Sequence, residues 1–215
     1  MNAREIIKKR LNHEGTETTP YTVEFEPELF ERLTAYYKDE NWREKKLKNY
    51  TVSHLTVETV QMKALDDIYS QDKKPWHLEK PSADEPSFKN YTFPSAEKFV
   101  NPVLENKQSA IEKYQADHEA FRIITMGWGI FEHTWRIRGF ENALMDSMLD
   151  EDFYKELTQK LTNNYLEMLR ACEDVPADAF LFGDDWGDQR GIILGEKTWC
   201  KFIKPCWEQI YKEVH

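Results

Sequence analysis

Residues Ala179–Gly183 read Ala-Phe-Leu-Phe-Gly, an apolar run without alternation, and it leads straight into GDDWGDQRG at Gly183–Gly191. A strand that does not alternate needs cover on both faces, the condition met inside a parallel sheet flanked by helices. This segment therefore constrains the rest of the chain: helices must separate its strands, and ligands should meet the strands' carboxyl ends.

The remaining sequence supplies such an alternation. Asn2 with Glu5 makes a capping-box start for a helix over about 3–12, with Ile6, Ile7 and Leu11 on one face. Tyr21–Phe25 alternates and reads as a strand, and Pro27 opens a helix whose inner face is Leu29, Phe30, Leu33 and Tyr37. Residues 50–93 are punctuated by Asp, Lys and Pro and predict an irregular excursion with one or two hairpins. Ser95 caps a long helix to about Ala116, which Pro102 should break or kink. Phe121–Met126 is a second strand, and Gly127-Trp128-Gly129 ends it. Asp150 should cap a helix carrying Phe153, Leu157, Leu161, Tyr165, Met168 and Leu169 at helical spacing. A last helix from Glu196 contains the irregular Pro205. The whole reads as one α/β domain over 1–215, with the excursion inserted.

Composition narrows the partners. A formal net charge of −10 gives no positive field for a phosphate backbone, so nucleic-acid binding is not expected. Arg43, Lys45, Lys46 and Lys48 read as a solvated helix face. No apolar run approaches the roughly 20 residues a bilayer span requires. Cys172, Cys200 and Cys206 form no CxxC pair, which with the absence of a signal peptide points to a reducing, cytoplasmic setting. The six histidines lack ligand spacing, so no metal site is expected from these residues.

Three strand ends offer chemistry. The first carries Glu24 and Glu26, the second Trp128 with Glu132, His133 and Arg136, the third Asp184, Asp185, Trp186, Asp188, Gln189 and Arg190. Adjacent carboxylates after a buried strand repel, which raises one pKa and suits proton transfer. Capping of backbone N–H groups explains them equally well. Trp128 suits stacking on a planar ligand or plugging the sheet's mouth. His133 fits a core histidine, and Arg136 and Arg138 fit ligand carboxylates or pairs with Glu132 and Glu141.

Several stretches resemble the uroporphyrinogen decarboxylase superfamily: REIIKKRLNHEGTETTPY at the start, GWGIFEHTWRIRGFENALMDSMLDEDFYKEL in the middle, and FLFGDDWGDQRGIILGEKTWCKFIKPCWEQIY near the end. The resemblance implies a (β/α)8 TIM barrel. Because a barrel needs about 250 residues, it also implies that this is the N-terminal part of one, self-associating or completed by a missing C-terminal half. It favours function over capping for the aspartate loop. Asp184 and Asp185 become the expected catalytic residues, and Trp128, Trp186, Gln189, Arg190 and Glu24 the expected substrate-binding ones.

Two enzymatic readings follow, with a non-catalytic binding or structural fragment as the third. The first is methyl transfer between a corrinoid, on a tetrapyrrole or corrinoid-protein partner, and a thiol or other acceptor, using a zinc site beyond these residues. The second is the lyase reaction of porphyrin biosynthesis on uroporphyrinogen. Decarboxylases carry an arginine-rich RQAGR-type segment near the first strand, whereas TPYTVEFEPELF here has no arginine until Arg32. Glu24 and Glu26 in place of cationic clamps would repel a polycarboxylate.

Overall fold

Parallel pairing organises the chain in the computed structural model, which describes residues 1–21, 23, 25–47, 52–54, 82–116 and 119–215. The helices α1 (Ala3–Leu11), α2 (Pro27–Tyr37) and α3 (Trp42–Leu47) precede strand β1 (Val52–His54). Helix α4 (Glu97–Ala116) leads to β2 (Phe121–Thr125), and α5 (Ile130–Arg138), α6 (Phe140–Leu149) and α7 (Glu151–Ala171) lead on to β3 (Ala179–Leu181). A small hairpin, β4 (Gly187–Asp188) and β5 (Gly191–Ile192), comes before α8 (Glu196–Phe202) and α9 (Lys204–Val214). The sheet order is β1-β2-β3, all parallel, with Val52 opposite Phe121 and Ile123 opposite Ala179. The fold is α/β, as the alternation implied.

The core lies between the sheet and α7. Tyr154, Leu157, Leu161, Tyr165 and Met168 recur at helical spacing on one face of α7 and are buried with Ile124 and Met126 of the central strand and its end. Full burial of a leucine such as Leu157 contributes about 1.5–3 kcal/mol. Helices α4, α6 and α9 pack around α7 and close the layer.

At the amino ends of the strands, ionic contacts hold α1 in place. The Asn2 side chain accepts from the Glu5 N–H at 2.9 Å, and the Glu5 carboxylate accepts from the Asn2 N–H at 3.2 Å, so the expected capping box forms. Arg4 and Lys8 then converge on Asp178, at 2.7 and 2.8 Å. Asp178 also accepts from the Arg122 N–H at 3.0 Å. Against its burial, these cations and donors hold the Asp178 carboxyl well below the usual carboxylate range.

Several expectations are corrected. Tyr21, Val23 and Phe25 lie in no strand, while Thr22 and Glu24 fall outside the described residues. Phe25 instead packs edge-on against buried Trp42 at 5.2 Å, beside Phe30 and Tyr37, and this local aromatic cluster overrides the alternating pattern. The sheet's first strand is β1, inside the segment read as an excursion; the hairpins expected there largely concern residues outside the described ones. Helix α4 runs through Pro102 without interruption. Asp150 makes no side-chain cap, its backbone (φ −129°, ψ 51°) departing from the extended capping conformation. β3 is not fully covered, since Leu181 is 45% exposed, and among the described residues it is an edge strand. Pro205 does mark an irregularity, since the last helix divides into α8 and α9 at Ile203. Among the described residues, no helix is long and apolar enough to cross a membrane.

Asp178→Asn should lower stability at pH 7 by about 2–4 kcal/mol in urea unfolding, because it strands buried positive charge. A carboxyl with a depressed folded pKa contributes stability that is present above its unfolded pKa, about 3.9, and lost as pH falls through the folded value. The deficit of the variant should therefore shrink progressively below about pH 4.

Candidate active site at the strand ends

Helix α5 starts without a capping side chain of its own, because its N-cap is Gly129. The second and third N–H groups of the helix, those of Phe131 and Glu132, need an acceptor that an Asp or Ser at the cap would supply. Asp184 supplies it from the loop after β3. Its Oδ2 accepts from the Phe131 N–H at 3.2 Å and its Oδ1 from the Glu132 N–H at 3.1 Å. A further donor, the Trp207 indole N–H on α9, reaches Oδ2 at 2.9 Å.

Gly129 makes this approach possible. A Cβ there would overlap the Asp184 side chain and the Gly183 carbonyl oxygen. Gly183 donates its N–H to the Gly127 carbonyl at 2.9 Å, and Gly127 adopts φ 71°, a left-handed conformation suited to glycine. The glycines around Trp128 thus serve close contact between two loops.

The clasp is reciprocal. The Glu132 carboxylate accepts from the Gly129 N–H at 3.0 Å and is also bonded by the backbone of Asp185. Burial pushes the half-buried Asp184 carboxyl up to about 7, against its donors and with the Glu132 charge adding to the rise. Burial also raises Glu132 above the ordinary glutamate range. Two carboxyls with raised proton affinity thus sit at the positive end of one helix, and Asp184 is the one placed to hold or release a proton near neutrality.

The other expected site residues are distributed around this clasp. Asp185 is exposed, one residue beyond Asp184. Trp128 is half-buried and already stacked: the Arg136 guanidinium lies 3.5 Å from its ring centroid, with Trp135 beside it at 6.2 Å. Trp186 packs edge-on against Trp199 at 5.2 Å and Trp207 at 6.1 Å, in an aromatic cluster. Gln189 and Arg190 sit at the exposed tip of the β4–β5 hairpin. There the Asp188 carboxylate accepts from the Arg190 and Gly191 N–H groups at 2.7 and 3.1 Å, fixing the turn. Arg190 also contacts Asp188 at 3.3 Å. Glu24 lies outside the described residues.

His133 is a core histidine. Burial, then the Arg136 charge, pushes it down to about 3, so it is neutral. Arg138 pairs with Asp146 at 2.6 Å rather than with Glu141. Among the described residues, no three His, Cys, Asp or Glu side chains are grouped to hold a metal ion.

Sequence reading missed Trp207 as a partner of Asp184. No local spacing links them, because α9 brings the indole back only through the fold. The exact role of Gly129 was equally hidden, since a glycine's steric necessity depends on what approaches it.

Comparison with family models finds no match, and neither does comparison with curated proteins. Among solved structures, a methyltransferase from Methanosarcina mazei has a similar fold, with TM-score 0.67 and 10% identity, over 100% of this chain and 68% of that one. At that identity the likeness is one of fold.

Gly129→Ala should displace Asp184 and destabilise the chain by about 2–3 kcal/mol in urea unfolding. Gly15→Ala, at a position where an added Cβ meets nothing within 4 Å, is the matched control and should stay within about 0.5 kcal/mol of wild type.

Proposed function

We propose that this chain forms the first strand–helix units of a (β/α)8 barrel and serves methyl transfer between a corrinoid and a thiol or similar acceptor. The observation that carries the reading is the fold likeness to a methyltransferase along the full length of this chain. Two further features support it. The strands join the sheet in sequence order, as in a singly wound barrel. Beside β3, the edge strand among the described residues, runs a groove of about 610 Å³, lined by Ala179–Phe182 with Tyr211 and Val214, where a barrel would continue.

The rim chemistry separates methyl transfer from decarboxylation of a porphyrinogen. A substrate with many carboxylates needs cationic clamps. The arginines near this rim are engaged: Arg136 on Trp128, Arg138 on Asp146 and Arg190 on Asp188. The carboxyl groups of Glu132, Asp184 and Asp185 favour a neutral or cationic molecule instead.

The corrinoid is the co-substrate, carried by a partner, and it brings or takes the methyl group. Within this chain, Asp184 holds a proton near neutral pH and fixes the loop, while exposed Asp185 is the carboxylate that touches the bound acceptor. A thiol acceptor must shed its proton as it takes the methyl group, and this carboxyl pair is the place to receive it.

The full-length protein, given methylcobalamin and a thiol, should form the methyl thioether. Asp185→Asn should slow that turnover about tenfold or more and leave unfolding within about 0.5 kcal/mol of wild type. Formation of coproporphyrinogen from uroporphyrinogen, with no thiol methylation, would overturn the proposal.

A further inference from the structure

Asp184 caps α5 through two backbone donors, yet a third donor arrives from a separate element. Trp207 is 3% exposed on α9, and its Nε1–H donates to Asp184 Oδ2 at 2.9 Å. The indole is fixed in direction by its neighbours. Phe182 meets it edge-on at 5.3 Å and Trp186 at 6.1 Å, with Tyr211 at 5.5 Å and Tyr165 at 6.3 Å. Phenylalanine would fill much of the same space, so packing alone does not call for an N–H at this point.

We propose that Trp207 is a positioning residue, whose indole N–H holds the Asp184 carboxylate over Gly129 and sets its affinity for a proton. The inference rests on reading the Asp184–Asp185 loop as the functional site. Among the described residues, the titratable groups that face Asp184 are Glu132 from α5, Tyr154 from α7 and Cys206 from α9, and none of these is a cation. The charged form of Asp184 therefore depends on neutral donors, working against burial and the Glu132 charge. Of those donors the indole is the one a side-chain substitution removes. Through it, α9 controls the protonation of a group that lies in the loop after β3, outside its own helix.

The test is a carboxyl-carbon NMR titration of the full chain with labelled aspartate. Wild-type Asp184 should titrate with a midpoint near 7. Trp207→Phe removes a donor to the charged form and should raise the midpoint by about one unit, and Glu132→Gln removes a neighbouring charge and should lower it. A merely structural tryptophan would not give opposite shifts in these two variants. A midpoint that stays within about 0.3 unit in Trp207→Phe, or that falls, overturns the proposal. Should that variant fail to fold, the wild-type chain still decides: the Trp207 indole N–H resonance should move with the same midpoint as the Asp184 carboxyl, and an indole signal indifferent to that titration overturns it. None of these readings uses methyl transfer, so loss of the functional proposal and loss of this one are separate outcomes.

Discussion

A helix that begins on glycine leaves its first N–H groups without a cap, and here a carboxylate from a distant loop fills the vacancy. Asp184 takes the N–H groups of Phe131 and Glu132 above Gly129. An unmet buried N–H costs about 1–3 kcal/mol, so the loop after β3 and the helix after β2 are tied together strongly. The rest of the strand-end surface follows. Glu132 reaches back to the Gly129 N–H and the Asp185 backbone, Asp185 is left exposed beside the clasp, and Trp207 closes it from α9. Capping and function, alternatives at the level of sequence, become compatible: Asp184 caps, and by capping presents its neighbour.

The two ends of the sheet divide their labour by charge. At the amino ends, Asp178 is surrounded by Arg4, Lys8 and Arg122, and its carboxyl is held charged. That cluster fastens α1 under the strands. At the carboxyl ends, Asp184 is buried and, among the described residues, meets neutral donors and the Glu132 charge, and its proton affinity rises. Equal side chains thus hold a charge at one end and a raised proton affinity at the other, because their surroundings differ.

Much of the fold was legible in sequence where local rules act alone. The Asn2–Glu5 box, Pro27 at a helix start, the periodicity of α7 and the strand at Phe121–Thr125 depend on near neighbours, and they form as read. Tyr21–Phe25 misled because alternation describes a half-buried surface of any kind, and Trp42 supplied that surface without a sheet. The short alternating stretch that holds β1 suggested a hairpin within an excursion, and its place in the main sheet comes from parallel pairing with β2, which no local pattern announces. The aspartate loop stood out as a pair of carboxylates that could cap or react, but its partners did not. Gly129, Phe131, Glu132 and Trp207 meet Asp184 only through tertiary structure, so no spacing in the chain announces them.

The central claim is that the Asp184 carboxylate joins α5 to the loop after β3, and amide hydrogen exchange tests it most directly. In Asp184→Ala, the Phe131 and Glu132 amides should exchange about tenfold faster or more than in wild type. The Ile6 amide of α1, bonded to the Asn2 carbonyl at 3.1 Å, should keep its protection. Unchanged exchange at Phe131 and Glu132 would contradict the account.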